Sequence, residues 1–191
     1  MAKVCFLDVE TTGRDTEKNS IRECSVIIEL DGKFECHRTF YMRPKEDDPI
    51  DREWLIENGV DIAEMYNHEF DQQQGKVELQ NMFSIYVDPF NTYDKMYFVG
   101  YNAKFDWDFM QNLWKDCGDT YFHSFFWNPY IDVMTICMWL LQETRPFMKN
   151  FRLGTVAEAV GIKFDPAKAH KALYDARITR AIYRKLEEGL E

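Results

Sequence analysis

The segment Lys3-Val4-Cys5-Phe6-Leu7-Asp8-Val9 constrains the fold more than any other part of the chain. It is too short for a buried helix and is apolar at both odd and even positions. It therefore predicts a strand in the middle of a sheet, covered by other elements on both faces. Side chains alternate along a strand, so Val4, Phe6, Asp8 and Glu10 share one face, with two carboxylates side by side where the strand ends. A polar end on an otherwise buried strand is a place for chemistry.

The elements that follow suit such a strand. Cys24–Leu30 and Lys33–Met42 flank Asp31-Gly32, a dipeptide suited to a tight hairpin turn. Arg52–Met65 reads as helix interrupted at Gly59, residues 68–76 as a polar loop, and Val77–Val87 as helix ending before Pro89. Met96–Gly100 reads as a second buried strand. Helices are expected at Phe105–Lys115, Val133–Glu143, Leu153–Val160 and Lys171–Glu188, with Gly161 closing the third. Strands and a hairpin followed by strand–helix alternation predict an α/β fold, a mixed β-sheet flanked by α-helices. With 46% hydrophobic residues, 15 Phe, 10 Tyr and 5 Trp in 191 residues, one sizeable core is affordable, and residues 1–191 are expected to form a single domain.

No apolar run approaches the roughly 20 residues of a membrane span, and Lys3 and the strand stand where a signal sequence would carry its apolar stretch. Five scattered cysteines without a C-x-x-C pair suggest neither a disulfide framework nor a zinc site, so a reduced, cytoplasmic setting without membrane contact is expected. The net charge of −10 argues against gripping nucleic acid by bulk electrostatics. Its distribution differs: Arg145 to Lys185 holds ten basic residues against three acidic ones. That stretch is either a set of solvated helix faces or a local phosphate-attracting rim.

Two further acids fall on apolar stripes. Asp106 lines up with Phe109, Met110 and Leu113, whereas Asp108 joins Gln111, Asn112 and Lys115 on the polar side; Asp175 lines up with Ile178, Thr179, Ile182 and Leu186. Burying an ionised carboxylate costs several kcal/mol unless a partner compensates. Each acid alone is explained by a cap or a salt bridge. Inward acids on three elements point instead to a divalent cation, with all-oxygen ligands suited to Mg²⁺ or Mn²⁺, and two such ions fit an in-line phosphoryl displacement. His170, at the mouth of the last helix after Asp165-Pro166, has an imidazole able to accept a proton from an attacking water near neutral pH. Phe105, Trp107, Phe122, Phe125, Phe126 and Trp127 are core residues or platforms for unpaired bases, and for most of them core is the expectation.

Phe6-Leu7-Asp8-Val9-Glu10-Thr11-Thr12-Gly13, Gly100-Tyr101-Asn102-Ala103-Lys104-Phe105-Asp106 and His170-Lys171-Ala172-Leu173-Tyr174-Asp175-Ala176 together resemble the three motifs of the DEDDh exonuclease family. This group includes the proofreading subunit of bacterial DNA polymerase III, ribonuclease T and oligoribonuclease. The resemblance runs from Lys3 to about Leu186. It implies a ribonuclease-H-like fold, two Mg²⁺ or Mn²⁺ ions, and removal of nucleoside 5′-monophosphates from the 3′ end of a single strand. It also implies Asp8, Glu10, Asp106 and Asp175 as metal residues, His170 as general base, and Thr11, Thr12, Gly13 and Asn102 near the terminal nucleotide. DNA is the slightly favoured substrate, RNA the alternative, and a non-catalytic binding module the rival that a missing carboxylate would have signalled. A polymerase or a second copy of the chain is admissible as partner. Val133 stands after Asp132 where many relatives have Thr, which bears on substrate choice.

Overall fold

A computed structural model describes residues 2–189. Its sheet has five strands in the order β3-β2-β1-β4-β5, with β1 (Lys3–Thr11), β2 (Ile21–Leu30), β3 (Lys33–Tyr41), β4 (Tyr97–Gly100) and β5 (Ile131–Asp132). β1 is central as expected, antiparallel to β2 and parallel to β4. The β2–β3 hairpin turns at Asp31 and Gly32, both with positive φ. β3 is the exposed edge, and its Lys33, Glu35 and Arg38 discourage pairing with another chain.

The helices are α1 (Arg52–Glu57), α2 (Ile62–Met65), α3 (Gln72–Tyr86), α4 (Ala103–Asp116), α5 (Val133–Leu140), α6 (Leu153–Ala159) and α7 (Ala172–Glu188). Alternation along β1 feeds two cores. Cys5, Leu7 and Val9 pack with α3, α4 and Phe122, Phe125 and Phe126. Val4 and Phe6 pack on the other face with α5, α6 and α7. Trp107, Phe122, Phe125 and Phe126 are all core.

The sequence reading erred most at residues 68–76. Asp71 caps α3 with Gln74 answering in a capping box, and the helix starts at Gln72. Polar residues there are buried because partners wait for them: Gln72 Nε2 donates to the Ile21 and Arg43 carbonyls, and Lys76 pairs with Asp119. Gly75 lets the helix press on Met42, since a Cβ would sit 2.2 Å from the Met42 sulfur. The expected helix over Arg52–Met65 is two short ones, split at Gly59, whose φ of +71° an L side chain rarely adopts. No described helix is long and apolar enough to cross a membrane.

Candidate active site

The site sits where the sheet forks. β1 pairs with β4 only as far as Phe6↔Val99, and β4 then leaves through Gly100 into α4. A Cβ on Gly100 would stand 3.1 Å from the Ala103 backbone and 3.4 Å from Asp106 Oδ2, so glycine is what lets the start of α4 lie against the strand ends. Asn102 turns the chain in a left-handed conformation, φ +59°, and Asp132 at the end of β5 accepts from its N–H at 2.9 Å. One helical turn later, Asp106 Oδ1 accepts from the N–H of Val9 at 2.9 Å. Asp106 is thereby pinned between the two acids of β1. Asp108 points outward and pairs with Lys104.

Opposite β1, register sets Glu10 against Glu23 of β2, a like-charge pair that would repel across the strands. Arg22 answers both: its Nη2 lies 3.1 Å from Glu10 and its Nη1 3.7 Å from Glu23. Glu23 also reaches α7, accepting from Ala172 N–H at 3.2 Å, while Lys171 at the helix start provides no side-chain cap. α7 then places Asp175 in its first turn. Asp175 Oδ2 accepts from His170 N–H at 3.2 Å; Asp175 Oδ1 is buried and has no hydrogen-bond partner. His170 itself is held at φ +62°, uncommon for a residue with a side chain.

Asp8, Glu10, Asp106, Asp175 and His170 all line one open cleft of about 470 Å³, together with Thr11, Asn102, Arg14, Trp54, Tyr101 and Phe105. Glu10, His170 and Asp175 each bring a ligand atom within 4.8 Å of the others. Thr12 and Gly13 are outside this lining: Thr12 is fully buried and accepts from Ser20 N–H, and Gly13 packs on Asn19. Arg14, Arg22, Glu23 and Trp54 were not singled out from the sequence. Only the strand pairing brings Arg22 and Glu23 to Glu10, and only the tertiary fold brings Trp54 and Arg14 to the cleft.

Crowding shows in proton affinity. Burial, then the charges of Asp106, Glu10 and Asp175, holds Asp8 well above the usual carboxylate range. Burial also raises Asp106, against the pull of the Val9 N–H. Glu10 is pushed up to about 7 by burial even though Arg22 draws it down, and Asp175 to about 6 by burial. His170 moves below the usual imidazole value, through burial and then the charges of Arg152 and Arg22.

A model of the RNase T exonuclease family matches residues 5–183. The chain belongs to this family. The resemblance to DEDDh-type 3′→5′ exonucleases drawn from the motifs is borne out at that level. Ribonuclease T of Buchnera aphidicola subsp. Baizongia pistaciae is 24% identical over 187 residues, covering 94% of this chain and 81% of that protein. A PolC-type DNA polymerase III of Mycoplasmopsis pulmonis is 22% identical, covering 92% of this chain, which spans 11% of the polymerase. Among solved structures, E. coli exonuclease I in a zinc-bound complex with single-stranded DNA superposes with a TM-score of 0.80 at 18% identity, covering 99% of this chain and 41% of that one. The fold is ribonuclease-H-like α/β, as expected.

Proposed function

We propose that residues 1–191 act as one exonuclease domain that hydrolyses phosphodiester bonds at the 3′ end of single-stranded nucleic acid, with DNA slightly favoured over RNA, and releases nucleoside 5′-monophosphates. The observation that carries this is the convergence of Asp8, Glu10, Asp106 and Asp175 on one cleft with His170 at its rim. Four carboxylates raised by burial and by one another, with Asp175 Oδ1 lacking any partner, have the hard oxygen donors and the charge deficit that Mg²⁺ or Mn²⁺ would meet. Two such ions, held by Asp8, Glu10 and Asp175 with Asp106 beside them, would supply Lewis-acid stabilisation of the attacking and leaving oxygens.

The chain's own residues supply the rest. His170, its proton affinity lowered, is neutral at pH 7 and able to take a proton from the attacking water. The bond from its N–H to Asp175 holds the loop at the carboxylates. Trp54, Tyr101 and Phe105 offer aromatic faces on the cleft wall against which an unpaired terminal base can stack. Thr11, in the same lining, donates its hydroxyl to the Gly13 carbonyl at 2.5 Å and so shapes the turn after β1. Thr12 and Gly13 support that turn from beneath.

A second reading, an exoribonuclease, is supported by the ribonuclease T likeness over 81% of that protein. The likeness to PolC-type polymerases supports a polymerase as partner, and a homodimer is the other arrangement to test. A 5′-labelled single-stranded DNA and the same RNA sequence, each incubated with Mg²⁺ or Mn²⁺, with EDTA, and with Asp8→Ala, test the proposal. The expected result is a ladder shortening from the 3′ end that needs the cation and Asp8 and is faster on DNA. A faster RNA ladder moves the substrate to RNA, and folded protein that cleaves neither overturns the catalytic reading.

A further inference from the structure

Resting on the exonuclease reading, we propose that the exposed segment Arg145–Arg152 is a track that holds the strand leading away from the scissile end. Phe147 stacks a base there, and Arg145 and Lys149 meet backbone phosphates. The segment is built into the wall of the cleft: Tyr101, which lines the cleft, donates its hydroxyl to the Phe151 carbonyl at 2.8 Å. Asn150 Oδ1 accepts from Arg152 N–H at 3.0 Å and from the Thr155 hydroxyl at 2.7 Å, fixing the chain where it enters α6. The segment is thus anchored at its Phe151 end on a residue of the cleft wall.

The segment combines an exposed ring with cations. Phe147 is 88% exposed at the end of a 3₁₀ turn. The Arg145 guanidinium lies 5.2 Å over the Phe151 ring, which stiffens it while leaving its N–H edge free for an oxyanion. On a chain of net charge −10, where many surface cations are paired, Arg145, Lys149 and Arg152 have no carboxylate within ion-pair distance among the described residues. Unpaired cations beside an exposed aromatic ring, next to a cleft that would take a terminal nucleotide, complement a charged strand with unstacked bases. An apolar protein partner would leave these cations desolvated and unpaired. The basic excess seen in the sequence from Arg145 onward therefore has two uses. Arg180 and Arg184 serve the interior, and the 145–152 residues serve the substrate.

The test compares wild type with Arg145→Ala/Phe147→Ala/Lys149→Ala, all exposed positions, with circular dichroism confirming that the variant is folded. Two substrates are used, a long single-stranded oligonucleotide and a dinucleotide with the same 3′ end. KM for the oligonucleotide should rise about tenfold or more, with kcat and the dinucleotide kinetics unchanged. The slope of log binding constant against log salt should become shallower by about 1.4, roughly 0.7 for each lost phosphate contact. Equal KM values in variant and wild type, or equal changes on both substrates, overturn the track. Fluorescence anisotropy of the same oligonucleotide in EDTA reads the track without hydrolysis. A protein that cleaves neither substrate but loses about tenfold in affinity in the variant overturns the exonuclease reading alone, whereas unchanged affinity overturns the track.

Discussion

Two groups of buried and half-buried acids lie where the sheet meets its helices, and the protein treats them differently. At one end Glu29 of β2 is fully buried, and both its oxygens are taken by arginines of α7, Arg180 and Arg184. At the other end Asp8, Glu10, Asp106 and Asp175 line one cleft with Glu23 behind them, and the one buried cation beside them, Arg22, pairs with Glu10 and Glu23 alone. The desolvation problem is the same at both ends. Glu29 is neutralised from within by two guanidinium groups. The second group is left under-neutralised, and an oxygen of Asp175 goes without a partner. A carboxylate that the fold has already satisfied is structural; one that the fold leaves short of positive charge is available to a ligand.

Removing a carboxylate from each end should break the comparison in opposite directions. Asp8→Asn should lower kcat/KM by about a thousandfold or more, since several kcal/mol of charge stabilisation go with the ion. It should also raise the melting temperature in EDTA, because one like charge leaves the cluster. Glu29→Gln should keep activity per folded molecule and lose about 3 kcal/mol in urea unfolding. That is the low end for a broken buried pair, because Arg180 and Arg184 keep part of their side chains in water. If Glu29→Gln lost activity and Asp8→Asn lost stability, the division between the two ends would be wrong. His170→Asn, chosen because asparagine tolerates the left-handed backbone, should cost about 10²–10⁴-fold in kcat with the fold unchanged by circular dichroism.

A smaller effect sharpens the same contrast. Glu10 at about 7 and Asp175 at about 6 bind protons more tightly in the folded chain than in the unfolded one, so the cation-free protein should lose stability as pH rises from about 4 through 7. The expected loss is at least about 1 kcal/mol, or roughly 2–4 °C in Tm for a chain of this size. Saturating Mg²⁺ should flatten that dependence; a Tm in EDTA that rises over the same range would contradict it. Smallest of all, Asp108→Ala should change stability by no more than about 0.5 kcal/mol and leave kcat unchanged, since its pair with Lys104 is exposed. Asp106→Ala, two residues away, should abolish turnover.

The difference between Asp106 and Asp108 was readable in the sequence because helical periodicity assigns each a face, and the structure buries the first and leaves the second half-exposed in a surface pair with Lys104. Asp8 and Glu10 were readable for the same reason, with a period of two. What could not be read was whatever depends on pairing between distant segments. Glu23 matters because register puts it opposite Glu10 and within reach of Ala172, 149 residues away. The start of α3 was legible in principle, in the Asp71 and Gln74 capping box, but Gln72 and Lys76 read as loop until their buried partners are known. Thr12 shares the first motif with Asp8 and Glu10, yet the bend after β1 turns its hydroxyl to Ser20, an orientation that spacing alone does not record.

The bond from Val9 N–H to Asp106 has a mechanical consequence. It ties α4 to the strand that carries Asp8 and Glu10, so these three acids move as one stiff body whose mutual spacing is set by strand and helix geometry. His170 stands on the opposite footing, in a short loop before α7 with its backbone in a left-handed turn. His170 is tied to Asp175 alone, so chain fluctuations near this cleft change the distance from that pair to Asp8, Glu10 and Asp106 more readily than the distances among the three tied acids. Catalysis at this site should accordingly respond to solvent viscosity and temperature through the histidine loop, while ion binding by the tied acids stays comparatively indifferent to both.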